Sequence, residues 1–188
     1  ALVLGPDSGR ARVALEDIIL SGESPRIRSM AFSLWLSHLE FESERELDVL
    51  ERALATRAND PLREEFSYVL ALAGFQFRNW DEARQRIDEV LESTESSRLL
   101  IQSALRLFAG ICWAESPPKY RLAAEQLLRL RGMSEAQGER DQLTMWIGDS
   151  YFLNGDYENA LPYYREAASG SGGSDPFGGD LVLYKLAT

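Results

Sequence analysis

The side chains with the sharpest chemistry in this 188-residue chain are its single histidine, His38, and its single cysteine, Cys112. A nucleophilic triad needs a base within hydrogen-bond reach of the nucleophile and a third group that orients the base. The sequence brings no serine, cysteine or carboxylate to His38; Glu40 is too close along the chain to share its helix face. Cys112 sits beside Trp113 in an apolar helical stretch, where a thiol is buried and inert. One Cys and one His cannot assemble a zinc site, and one Cys forms no internal disulfide. Carboxylates are abundant, with 30 Asp and Glu, so a pair of them carries no weight for glycosidase or protease chemistry. The stretch SGSGGSDPFGGD, 169–180, is glycine-rich but holds no Lys, which rules out a phosphate loop. Asp175 and Asp180 do not have the spacing of a calcium loop, and the stretch reads as a flexible insertion with Phe177 at its tip. We expect no catalytic residue, no cofactor and no metal, and hence a protein that is not an enzyme.

The elements that could position functional side chains are helices. Hydrophobic content of 45% supports a sizeable core, and the length suits one domain. No segment keeps a two-residue alternation, so no sheet is expected. Net charge is −10 and the pI about 4.7, which argues against nucleic acid, whose phosphates need a basic stripe, and against an anionic membrane surface. A basic or apolar protein partner fits. The run Glu40 to Glu51 holds six acids and one Arg and reads as a solvated face. No apolar run approaches the roughly 20 residues of a membrane span, and no signal peptide is visible. Arg outnumbers Lys 18 to 2, the mark of a GC-rich, bacterial coding sequence.

One stretch shows how the helices are organised. Within Asp141 to Ala167, Ile147-Gly148 is followed by Tyr151, then Gly155-Asp156-Tyr157, Ala160, Tyr164 and Ala167. Gly148 permits a close helix crossing, Ala160 and Ala167 do the same from the second helix, and Tyr151 and Tyr164 fill the space left. Gly155 suits a left-handed cap and Asp156 caps the next helix. Pro162 is placed in the first turns of that helix, where a missing N–H costs least. This pattern resembles the tetratricopeptide repeat (TPR) family. A second copy runs from Glu64 to Val90, with Leu70-Ala71, Trp80, Ala83, Ile87 and Val90; Gly74 replaces the tyrosine. A third spans Ser103 to Leu130, with Ala109-Gly110, Trp113, Tyr120, Ala123, Leu127 and Leu130, and a longer turn through Pro117-Pro118. The alanines Ala83, Ala123 and Ala160 stand 40 and 37 residues apart, against a family period of about 34. The excess is expected in loops, at 93–97 and 131–138.

The resemblance implies an all-α fold, a right-handed α-solenoid of TPR-like hairpins. The expected boundaries are 1–62 for N-terminal helices with a divergent hairpin, then 63–97, 98–135 and 136–174 for three repeats. Residues 175–188 hold a loop and, in DLVLYKLAT with Leu186-Ala187, the start of a further repeat, so the chain reads as a piece of a longer protein. Upstream, helices are expected at Ser8–Leu20, capped by Asp7 or Ser8, at Arg26–Glu42 and at Glu44–Thr56. Second helices of the repeats should begin near Asn79, Lys119 and Asp156.

In this family the first helices line a concave groove. Carried over copy by copy, the ligand groove comprises Glu65, Tyr68, Leu72 and Phe75, then Leu107, Ile111 and Ala114, then Met145, Asp149 and Phe152. The Lys, Arg and Asn set of a carboxylate clamp is absent from these positions, so binding of a chaperone C-terminus is not implied. The apolar lining implies a scaffold for a protein or peptide, such as an amphipathic helix. Self-association as a homodimer or filament through the same surface is the alternative. A non-catalytic regulatory part of a larger enzyme or envelope-assembly protein is a third reading. The likeness to repeat proteins of the bacterial envelope points to the periplasm, with cytoplasm the other option.

Overall fold

A computed structural model describes residues 7–37, 47–56 and 59–170. His38, the acids from Glu40 to Glu46, the expected continuation of one helix to Glu42, and the segments around Asp175, Phe177 and 180–188 lie outside the described residues. Among the described residues there are nine helices and no strand: α1 (Asp7–Ser21), α2 (Pro25–Leu36), α3 (Asp48–Thr56), α4 (Arg63–Gln76), α5 (Trp80–Glu92), α6 (Arg98–Ala114), α7 (Tyr120–Met133), α8 (Gln137–Leu153) and α9 (Tyr157–Gly170). The chain divides into two compact units, Ala1–Ser96 and Ser97–Thr188.

In the first unit α1 packs on α2 and α3, α3 on α4, and α4 on α5. Pro25 opens α2, where its fixed φ suits the first turn. The core gathers Ile19, Phe32, Trp35, Leu50 and Phe66, and the Phe32 and Phe66 rings meet edge to face at 4.8 Å. A cation is buried beside it. The Arg28 side chain is 2% exposed and pairs with Asp60, whose side chain is fully buried. Arg28 Nε also donates to the Ile19 carbonyl at 2.8 Å, and Asp60 Oδ1 accepts from the Leu62 amide at 3.0 Å. The charges, the end of α1 and the start of α4 are thus held by one network. These further hydrogen bonds offset part of the cost of taking a pair this deep out of water.

The second unit is a meander in which α7 packs on both α6 and α8, and α8 on α9. Ser97 caps α6, its side chain accepting from the Leu100 amide at 3.2 Å. The α6–α7 connection contains a cis Ser116–Pro117 peptide. Second helices begin at Trp80, Tyr120 and Tyr157, one residue after the expected starts. The excess over the family period sits partly in helix, contrary to the expectation of loops. α7 runs to Met133 and α8 starts at Gln137, so most of 131–138 is helical. Pro162 is the sixth residue of α9, past its first turn, and removes one bond of the helical ladder.

The α4–α5 and α8–α9 hairpins share one turn in a constant register of 77 residues. The Asn79 amide donates to the Gly74 carbonyl at 2.8 Å, and the Asp156 amide to the Tyr151 carbonyl at 2.9 Å. Arg78 N–H donates to Phe75, and Gly155 N–H to Phe152. Both capping residues are left-handed, Arg78 at φ 59° and Gly155 at φ 79°. The helix crossings differ in size. A Cβ at Gly148 would stand 2.8 Å from Tyr164 Cε1, while one at Gly74 would stand 3.0 Å from Ala83 Cβ. Ala71 occupies the register position of Gly148, and Ile87 that of Tyr164. A bulkier partner is thus matched by a smaller residue opposite.

Candidate protein-binding surface

The first helices of the second unit, α6 and α8, are joined by side chains. Trp113 Nε1 donates to Ser150 Oγ at 3.0 Å, and that hydroxyl donates to the Trp146 carbonyl at 2.8 Å. Arg106 pairs with Glu139. Between these bridges a cleft of about 180 Å³ opens, lined by Arg106, Ala109, Gly110, Trp113, Leu127 and Trp146. Ala109 and Leu127 are buried and form its apolar base, while the two tryptophans are half-buried. The Trp113–Ser150 bond fixes one indole across the two helices, so the wall is pre-organised and its order is not a cost of binding.

The expected groove residues fall into separate sets. Leu107 is half-buried on α6. Ile111, expected in the groove, is fully buried in the core. It is corrected to a packing residue, because an apolar side chain at the edge of a wide buried stripe is drawn inward. Ala114 is exposed at the end of α6. Met145 and Phe152 are partly buried and pack on Ala160 and Tyr164. Phe152 meets the Tyr157 ring at 5.2 Å and the Tyr164 ring at 6.3 Å. Asp149 accepts the Tyr164 hydroxyl at 2.8 Å, so its carboxylate supports the hairpin. Burial and then that hydrogen bond push the Tyr164 pKa well up. Tyr151, stacked on Tyr163 at 5.8 Å, is also raised, first by burial.

In the first unit Glu65, Tyr68, Leu72 and Phe75 are all half-buried along α4. Phe75 meets Trp80 at 5.7 Å, the counterpart in register of the Phe152–Tyr157 contact. The Glu65 pKa is raised, chiefly by burial, with added repulsion from Glu64 and Asp60. Trp113, Trp146 and Arg106 were not among the expected groove residues. The signal for Trp146 was a large aromatic one residue beside the template position Met145.

Among the described residues, no group of three His, Cys, Asp or Glu side chains is placed to hold a metal ion. No described helix is long and apolar enough to cross a membrane. Cys112 is fully buried.

A family model described as Tetratricopeptide repeat matches residues 47–98 and 119–176. The first match takes in α3 to α5, the second α7 to α9. The chain belongs to the tetratricopeptide repeat family, whose repeats generally mediate protein–protein interaction and are typically non-catalytic. Searches of curated proteins and of solved structures found no match.

Proposed function

We propose that the chain is a protein-binding scaffold, and that the α6–α8 cleft takes one bulky apolar side chain from a partner's helix or extended segment. The observation that carries this reading is the apolar cleft of about 180 Å³ between half-buried Trp113 and Trp146. Burying apolar surface there yields about 25 cal/mol per Å², and tryptophan anchors tend to dominate interface energies. Leu107, Met145 and Phe152 supply further half-buried apolar surface on the same two helices, the pattern that an amphipathic helix reads through repeated anchors. Tyr68, Leu72 and Phe75 provide a comparable strip on α4.

Selection from a displayed library of random peptides tests the proposal. Enriched peptides should share one large apolar anchor and shift amide resonances along α6 and α8. Trp146→Ala should weaken their binding by about 2 kcal/mol, the scale of an interface hot spot, without loss of helical signal. Peptides that bind the variant equally well, or that map to other helices, would refute it.

A further inference from the structure

We propose that the α1–α2 hairpin is a displaceable cap, which lifts from α3 and α4 as one unit and has the Arg28–Asp60 pair as its catch. The hairpin is tied to itself by local bonds. Gly22, Glu23 and Ser24 join its two helices, and the Gly22 amide donates to the Ile18 carbonyl at 2.9 Å. A Cβ on Gly22 would stand 2.9 Å from Arg28 Cγ, so the turn is built round that side chain. Arg28 Nε donates to the Ile19 carbonyl at 2.8 Å. Glu16 accepts from Trp35 Nε1 at 3.4 Å and from Arg12 Nε at 3.1 Å. These bonds all lie within the hairpin and persist when it leaves as a body.

The contacts that cross to the rest of the unit are of another kind. Among the described helices the α2 backbone approaches α1 alone, and it reaches α4 through side chains, with Phe32 edge to face on Phe66. In the same buried region Arg28 meets Asp60. Asp60 belongs to the other side, since its Oδ1 accepts from the Leu62 amide just before α4 at 3.0 Å. The parting line therefore runs between the two ions, and each keeps a hydrogen-bond partner on its own side of it. Parting returns both charges to water, which offsets the attraction they lose. An apolar pair in their place would gain no such hydration, so it would hold the cap more firmly. Without the cap, α4 keeps α3 and α5 as packing partners, and the first matched repeat, which takes in α3 to α5, stays whole. The cap shares no residue with the α6–α8 cleft, so either proposal can fail without the other.

Amide hydrogen exchange of the full chain in rising, sub-denaturing urea is the test, under conditions where exchange reports the opening equilibrium. The slowest amides of α1 and α2 should exchange at least about tenfold faster than those of α4 and α5, with one urea dependence common to α1 and α2. Ile87→Val, a change at a fully buried position of α5, should speed exchange in α4 and α5 by about two- to tenfold. It should leave α1 and α2 unchanged, because the cap opens with α5 still folded. Arg28→Met should speed exchange in α1 and α2 by at least about 100-fold, since it leaves Asp60 buried without its cation. Arg28→Lys, which keeps the charge on a different donor geometry, should speed it less. One shared rate for the four helices in the unaltered chain, equal acceleration of all four by Ile87→Val, or unchanged exchange of α1 and α2 in Arg28→Met would each overturn the proposal.

Discussion

Gly148→Ala should destabilise the α8–α9 hairpin, although alanine is the better helix former. The added methyl would lie 2.8 Å and 2.9 Å from Tyr164 Cε1 and Cδ1. Carbon pairs settle near 3.5–4.0 Å, so the ring must retreat by about 0.7 Å or more. The ring has little freedom to do so. It is 1% exposed, and its hydroxyl is bound to Asp149 at 2.8 Å. Overpacking typically costs about 1–3 kcal/mol, while replacing a helical glycine returns about 1 kcal/mol. The net loss should be about 1 kcal/mol, and about 3 kcal/mol for Gly148→Leu, at the upper end of the overpacking range. The first unit indicates the remedy, since Ala71 and Ile87 stand at these two register positions. Tyr164→Ile alone should cost about 2 kcal/mol through lost packing and a lost hydrogen bond. Combined with Gly148→Ala, it should cost less than the sum, by about 1 kcal/mol or more. Urea unfolding followed by far-UV circular dichroism, with hydrogen exchange at α8 and α9 amides, measures the cycle. Additivity within about 0.5 kcal/mol would mean that the two sites do not couple and would refute the size-matching argument.

Arg28→Met should cost about 3–5 kcal/mol, because Asp60 is left as a buried charge without its cation; adding Asp60→Asn should recover part of that loss in the same urea assay. Arg78→Gly should raise stability by about 0.5–1 kcal/mol, since a left-handed capping position strains any residue with a Cβ; a lower unfolding midpoint would contradict this. Glu65 has a raised pKa, so the folded state holds its proton more tightly than the unfolded state. The contribution is complete below the unfolded pKa and is lost as pH rises through the folded value. Glu65→Gln should therefore raise the melting temperature at pH 7 and change it little near pH 3, where the wild-type carboxyl is already neutral.

What was legible in the sequence was local. The starts of the second helices near Asn79, Lys119 and Asp156 were legible from the repeat pattern, and at Asp156 also from a local cap, its carboxylate accepting from the Asn159 amide at 3.3 Å. Gly155 is readable as a left-handed cap because glycine is the usual residue there. Arg78 adopts the same conformation without any sign in its side chain, so that turn is evident only in its backbone bonds. Which side chains stay accessible on the first helices was read less well, because it depends on how wide a stripe each helix buries. α6 buries Ala104, Leu105, Phe108, Ala109, Ile111 and Cys112, a stripe wide enough to take in Ile111. At the matching position of α8, Asp149 keeps its carboxylate at the edge. Trp146 lies one residue, or about 100°, from the template position of Met145, and a pattern copied between repeats does not register that rotation. The Arg28–Asp60 pair joins positions 32 residues apart, and no periodicity reports a contact of that range.

That distance bears on how the chain matures as it leaves the ribosome. Synthesis runs from the N-terminus, so the guanidinium emerges well before its counter-ion. Until Asp60 clears the exit tunnel, α1 and α2 have a cation at their interface and no anion to neutralise it, and desolvating it is unfavourable. Docked without Asp60, the guanidinium would keep the Ile19 carbonyl as a partner but no counter-ion. A single carboxylate in the lead-in to α4 thus ties the N-terminal helices to the α4–α5 hairpin that directly follows it.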